Sequence, residues 1–258
     1  MSKAVKYVLL GAVMYVLFVA ASLPAPWIYS HWLQSRLGGW AVYGVQGTLW
    51  QGRVAAVKSG DLQLESLHWE LHPLGLLWGR LEVALQFKYA AAPGSLVLAR
   101  SFTGTWHADD VDLELPAERL APLLRLPGAE LGGKLAVQLS ALTLKQGRVT
   151  AAAGSVAWEK AAVRKPVAVD LGAFALDLKT TEEGVSGTLL DHGGAVQAQG
   201  LLKLNANGQY QFTATFASRD PKQSLVTQGL QLFGTPGPDG RVKYSAAGVV
   251  PPLLPGLR

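Results

Sequence analysis

From Leu81 to Tyr89 the chain alternates: Leu81, Val83, Leu85, Phe87 and Tyr89 are interleaved with Glu82, Ala84, Gln86 and Lys88. Successive side chains leave opposite faces of an extended strand, so this spacing makes one apolar and one polar face, which a helix would scatter around its axis. The same rhythm returns at Val111, Leu113 and Leu115 between Asp110, Asp112 and Glu114. It returns again at Tyr210, Phe212, Ala214 and Phe216 between Gln209, Gln211, Thr213 and Thr215. Strands buried on one face only pair antiparallel. The connectors Lys58-Ser59-Gly60-Asp61, Gln146-Gly147-Arg148 and Asn205-Ala206-Asn207-Gly208 are short hairpin turns. The chain is therefore expected to be mainly β, a meander of about eleven to thirteen strands. The alternation slips phase at Glu65-Ser66 and at Ser140-Ala141. One extra residue in a strand does this, so bulges are predicted there, and bulges curve a sheet.

The amino terminus has a different pattern. Lys3 and Lys6 precede an uncharged apolar run from Tyr7 to Leu23, and no further basic residue occurs until Arg36. About 20 apolar residues at about 1.5 Å rise cross a hydrocarbon core of about 30 Å. The expectation is a single transmembrane helix over 7–28, with residues 1–6 cytoplasmic by the positive-inside rule. The rival is a cleaved signal peptide, with Ala20-Ala21-Ser22 as its small-residue site. Pro24 and Pro26 crowd that site, and Trp27, Tyr29 and Trp32 follow as rings suited to the headgroup level, which favours a retained anchor. Apolar residues at helical spacing from Trp27 to Leu37, closed by Gly38-Gly39, predict a juxtamembrane helix over 29–39. Residues 40–258 then form an exported β domain.

Two proline-led segments interrupt the strands, at Pro116–Leu124 and at Pro221–Leu230, and carry leucines at helical spacing. Each closes a run of strands. Leu67-His68-Trp69-Glu70 matches Val156-Ala157-Trp158-Glu159, so the domain divides into two similar halves, about 40–128 and 129–258, or repeats only as any meander does.

Composition narrows the function. The chain of 258 residues has no cysteine, so disulfides and thiolate chemistry are excluded. Outside Lys3 and Lys6, 21 basic and 18 acidic residues remain, too balanced and dispersed for a nucleic-acid partner. His68, Glu70 and His72 share one strand face, but neighbours on that face stand about 6.5 to 7 Å apart, a poor fit to tetrahedral ligation. Asp109, Asp110, Asp112 and Glu114 read as the polar half of a strand. Asp191-His192 has no nucleophile elbow beside it, and Gly132-Gly133-Lys134 lacks the spacing of a phosphate loop. No catalytic, cofactor-binding or metal residue is assigned, no cofactor is implied, and the expectation is a protein that is not an enzyme.

Val45-Gln46-Gly47-Thr48-Leu49-Trp50-Gln51-Gly52, Leu67-His68-Trp69-Glu70-Leu71 and Leu74-Gly75-Leu76-Leu77-Trp78-Gly79-Arg80-Leu81, behind a basic amino terminus and one apolar span, resemble the type II secretion system protein N family. The resemblance implies a single-pass inner-membrane protein with a periplasmic domain. Its partners would be the inner membrane and other type II secretion components, the inner-membrane platform and the secretin among them, and it would support export of folded exoproteins. The Gly-Thr-Leu pattern is also similar to AsmA-like proteins. That similarity implies a curved antiparallel groove or half-barrel holding lipid on its concave face, and hence the alternative of a lipid-binding or lipid-transfer protein.

Overall fold

The computed structural model describes residues 3–35, 37–60, 62–119, 130–165, 168–220, 222, 224–231 and 234–251, without the side chains at 3, 4, 13, 16, 17, 20, 62, 76–78, 119, 224 and 231. The chain divides into two compact units, 1–93 and 94–258.

The first unit begins with helix α1 (Lys3–Ala21), on which every described side chain is exposed. Among the described residues, no helix is long and apolar enough to cross a membrane. Pro24 is extended, and helix α2 (Ala25–Ile28) starts behind it with Pro26 in its first turn, where a missing N–H leaves no helical bond unmade. The helix widens into one π turn at Tyr29–Leu33 and ends before Gly38 and Gly39, both at positive φ. Five strands follow: β1 (Ala41–Tyr43), β2 (Gln46–Gly47), β3 (Gln51–Ser59), β4 (Leu62–His72) and β5 (Arg80–Tyr89). They pair antiparallel in the order β1, β3, β4, β5, with β2 beside β3. The cross-strand pairs Trp69–Leu85, Leu71–Val83 and Leu64–Tyr89 lie on the half-buried face. Between β4 and β5 the register slips after Glu65, where Ser66 takes φ 52°. The bulge expected at Glu65-Ser66 is therefore present.

The second unit, which β6 (Ala92–Ser101) enters at Gly94, continues with β7 (Trp106–Pro116), β8 (Glu130–Lys145), β9 (Arg148–Lys165), β10 (Val169–Thr181), β11 (Gly184–Asp191), β12 (Val196–Asn205), β13 (Gln209–Ser218) and β14 (Val242–Val249), and β6 to β14 pair in sequence order, all antiparallel. The meander is as read, with fourteen strands described against the eleven to thirteen expected. The excess is small and includes the very short β1 and β2. Gln146 and Gly147 both have positive φ, which makes the β8–β9 connection a mirror-image turn matched to strand twist. At the β12–β13 turn Asn205 Oδ1 accepts the N–H groups of Asn207 and Gln209 while Gly208 takes φ 82°. The expected bulge at Ser140 appears as a slip between Leu139 and Ala141. A further one, unseen in the alternation, sits at Asp110, whose φ is 51°. It brings Ala108 and Val111, three residues apart, to the buried side beside Leu139.

Of the two segments read as helices, the second forms helix α3 (Ser224–Gln231), with Pro221 and Gln223 outside the described residues. Val226 and Leu230, one turn apart, bury against Val196 and Val242 of β12 and β14. Of the first segment, Pro116 is the last residue of β7 and a 3₁₀ turn, Ala117–Arg119, begins directly after it; the remainder of the expected helix falls in residues 120–129, which lie outside the described residues.

Candidate functional site

The run Gly47–Gly52 forms a tight loop between β2 and β3. Thr48 N–H donates to Gln51 O at 2.8 Å, and a Cβ at Gly47, whose φ is 99°, would come within 2.5 Å of that same oxygen. Across the ladder Gly52 pairs with Trp69. A Cβ at Gly52 would stand 2.3 Å from Trp69 Cζ2 and 2.5 Å from Gln46 O, so glycine is what lets the indole lie over the strand. The indole Nε1–H then donates to Leu49 O at 3.0 Å, and Leu71 N–H donates to Trp50 O. The loop is thus held from β4 by one side-chain and one backbone hydrogen bond.

The other side of this loop takes the chain leaving α1. Leu49 N–H donates to Leu23 O at 2.9 Å, Pro24 and Thr48 form an antiparallel bridge, and Ala25 is buried. Two residues past its last turn, then, α1 is fastened to the sheet through the loop that carries the strongest part of the family resemblance. The resemblance drew attention to Gly47, Trp50, Gly52 and Trp69 without saying how they meet. The partners Leu23 and Pro24 were not visible, because only register reveals them.

On the polar face of the same strands lies an open concavity of about 620 Å³, lined by Gln46, Gln51, Arg53, His68, Glu70 and Gln86 among others. Arg53 Nε and Nη2 both donate to Gln46 Oε1, at 3.0 and 2.7 Å. His68 and Glu70 are exposed, while His72 turns toward Glu82, 3.4 Å away, and stands 3.9 Å from Glu70. Among the described residues no three His, Cys, Asp or Glu side chains are grouped to hold a metal ion.

The remaining sequence candidates serve the fold of the second unit. Asp110 and Asp112 are exposed, Asp109 is half-buried, and Glu114 accepts Lys134 Nζ at 3.1 Å, which raises the lysine's pKa. A shallow trough of about 770 Å³ across β6 to β10 carries Asp110, Asp112 and Asp177 in its lining. Asp191 clips a loop: it accepts Gly193 and Ala198 N–H groups and Arg219 Nη2, the last at 2.5 Å. Gly132 O accepts Trp158 Nε1–H at 3.0 Å, and a Cβ at Gly133 would meet Glu159 O at 2.4 Å. A tryptophan N–H held by a backbone carbonyl at or just before the start of the preceding strand, beside glycine, is therefore used in both units.

Residues 38–245 match the family model described as type II secretion system (T2SS), protein N. The chain is 30% identical over 249 residues to the type II secretion system protein N of Vibrio cholerae serotype O1, covering 95% of this chain and 97% of that one. It is 28% identical over 247 residues to the type II secretion system protein N of Aeromonas hydrophila, covering 93% and 96%. No solved structure matches it. With four-fifths of its length inside the family model and both relatives covered almost end to end, the chain belongs to the type II secretion system protein N family.

Proposed function

We propose that the protein is an inner-membrane component of a type II secretion system, with its amino terminus in the cytoplasm and residues 40–258 in the periplasm, and that it supports export of folded exoproteins through the secretin by protein–protein contacts. It does so without catalysis, and other components of the same machine are its partners. The observation that carries the membrane part of this reading is α1. Its exposed apolar side chains, Tyr7, Val8, Leu9, Leu10, Met14, Tyr15, Phe18 and Val19, fall on every side of the helix. A helix apolar all round needs an apolar solvent. At 19 residues it is about 28 Å long, and the span proposed for it counts Val13, Val16, Leu17 and Ala20, whose side chains lie outside the described ones. Lys3 and Lys6 set its orientation.

The lipid-carrier alternative asks for an apolar concave lining. The concavities described above mix both characters, Trp69 and Ala84 beside Arg53 and Glu70 in one, Val111, Leu139 and Leu178 beside Asp110 and Asp177 in the other, so neither gives the continuous apolar lining that the lipid reading needs. The experiment is deletion of the gene, complementation, and measurement of how a type II exoprotein divides between medium and periplasm, with outer-membrane permeability assayed in parallel. Periplasmic accumulation with an intact barrier is expected. A normal division with a leaky or lipid-altered outer membrane would reverse the choice.

A further inference from the structure

Leu74 is 72% exposed at the tip of a 3₁₀ turn, Pro73–Trp78, that joins β4 to β5. The turn sequence, Pro-Leu-Gly-Leu-Leu-Trp, has no charge and no hydrogen-bonding side chain except the indole. A hairpin connection facing water draws on Gly, Asn, Asp and Ser, so an apolar tip of this kind is out of place there. It is also firmly built. A Cβ at Gly75 would stand 2.6 Å from Arg80 O, Gly79 takes φ 71°, and at the base Glu82 lies 3.4 Å from His72 and 3.7 Å from Arg80. A turn held this tightly presents Leu74 outward by construction.

The turn's position in the sheet indicates what it faces. Leu23 O is bonded to Leu49, Trp50 O is bonded to Leu71, and Pro73 follows two residues on. The end of the sheet that receives the chain from α1 is therefore the end that carries Leu74. With adjacent strands about 4.8 Å apart and about 3.3 Å per residue, Leu74 lies within about 25 Å of Leu23. The opposite end of the same strands, at Lys58 and Gly60, is charged and polar and lies about 25 Å farther along β3. Trp27, Trp32 and Trp40, all exposed, belong to the same first unit just beyond the helix.

We infer that the Pro73–Trp78 turn is a second membrane contact, inserting Leu74 into the headgroup and upper acyl region of the bilayer that α1 enters. Arg80 stands two residues behind the turn, as a basic group does when it holds a shallow apolar insertion at the phosphate level. Two contacts fix the orientation of the sheet against the membrane, which a single flexible tether would not. This inference rests on α1 being a membrane anchor.

The chain has no cysteine, so one introduced thiol carries one label. Full-length protein with Leu74→Cys, Lys58→Cys or Tyr15→Cys, each coupled to an NBD fluorophore, would be placed in phosphatidylethanolamine and phosphatidylglycerol vesicles. The vesicles would contain either a shallow or a deep nitroxide-labelled lipid. The expected result is loss of most of the Leu74 signal to the shallow quencher, loss of most of the Tyr15 signal to the deep one, and no loss at Lys58. Quenching at Tyr15 but not at Leu74 would overturn the turn contact and leave the anchor standing. Quenching at Lys58 equal to that at Leu74 would overturn it too, since contact would not be confined to one end. An unquenched Tyr15 would remove the anchor itself.

Discussion

Residues 1–93 and 94–258 hold their apolar side chains in opposite ways. Among the described residues, the first unit has three of the twenty-one buried apolar side chains, Ala25, Val54 and Val57, but sixteen of the twenty-one large apolar ones that stand exposed. The second unit has the reverse. The helices make the contrast local: α3 buries Val226 and Leu230 on one face, whereas α1 shows apolar groups all round. The sequence of α3, Ser-Leu-Val-Thr-Gln-Gly-Leu-Gln, is amphipathic and lays its apolar side on its own chain, whereas α1 is apolar through nearly its whole length and no described side chain on it is covered. Among the described residues the first unit leaves these apolar groups uncovered, which is the feature the proposed membrane attachment uses.

Five substitutions break or sharpen this comparison. The largest effect is expected at Leu230→Ala, which leaves a cavity beside Val196 and Val242 and should cost about 3 kcal/mol in chemical denaturation of the second unit. Leu10→Ala, on the bare face of α1, should change that transition by less than about 0.5 kcal/mol. An equal loss at both sites would erase the distinction. Next comes Gly52→Ala. Its Cβ meets a backbone oxygen and the Trp69 ring, so the first unit should lose about 2 kcal/mol and β3 should become open to protease while β8 to β13 stay protected.

Trp69→Phe keeps most of the ring and removes the N–H that holds Leu49 O. A loss of about 1 kcal/mol is expected, with faster amide exchange at Leu49 and Leu71. The smallest effect concerns pH. The hydrogen bond and charge of Glu114 raise the Lys134 pKa above 10.5, so their contribution is complete below that value and fades only as pH rises through the raised one. The melting temperature of Lys134→Met should therefore track that of the wild type without a pH-dependent gap between about pH 6 and pH 9. A gap opening in that range would contradict the assignment.

Period-two alternation revealed the antiparallel meander and two of its bulges, because those depend on which face each side chain takes. It could not reveal the bulge at Asp110, where polar residues on both sides of the slip leave the pattern unbroken. Pro116 looked like a helix start, and it both ends β7 and stands directly before the 3₁₀ turn at Ala117–Arg119. At the junction Gly47, Gly52 and Trp69 stood in the sequence only as parts of a family pattern, and their meeting depends on strand register. Leu23 appeared as the end of an apolar run and Pro24 as a residue crowding the small-residue site; that they bind the loop is a backbone contact with no side-chain signature. Leu74 was part of a resemblance before it was a surface feature, and its exposure follows from the tight turn beneath it.

The most direct test of the central claim is alkaline carbonate extraction of cell membranes containing the full-length protein. The account predicts that the protein stays in the membrane pellet with integral proteins. Recovery in the supernatant, with the peripheral ones, would contradict it and leave the exposed apolar surface of α1 to be covered by another protein.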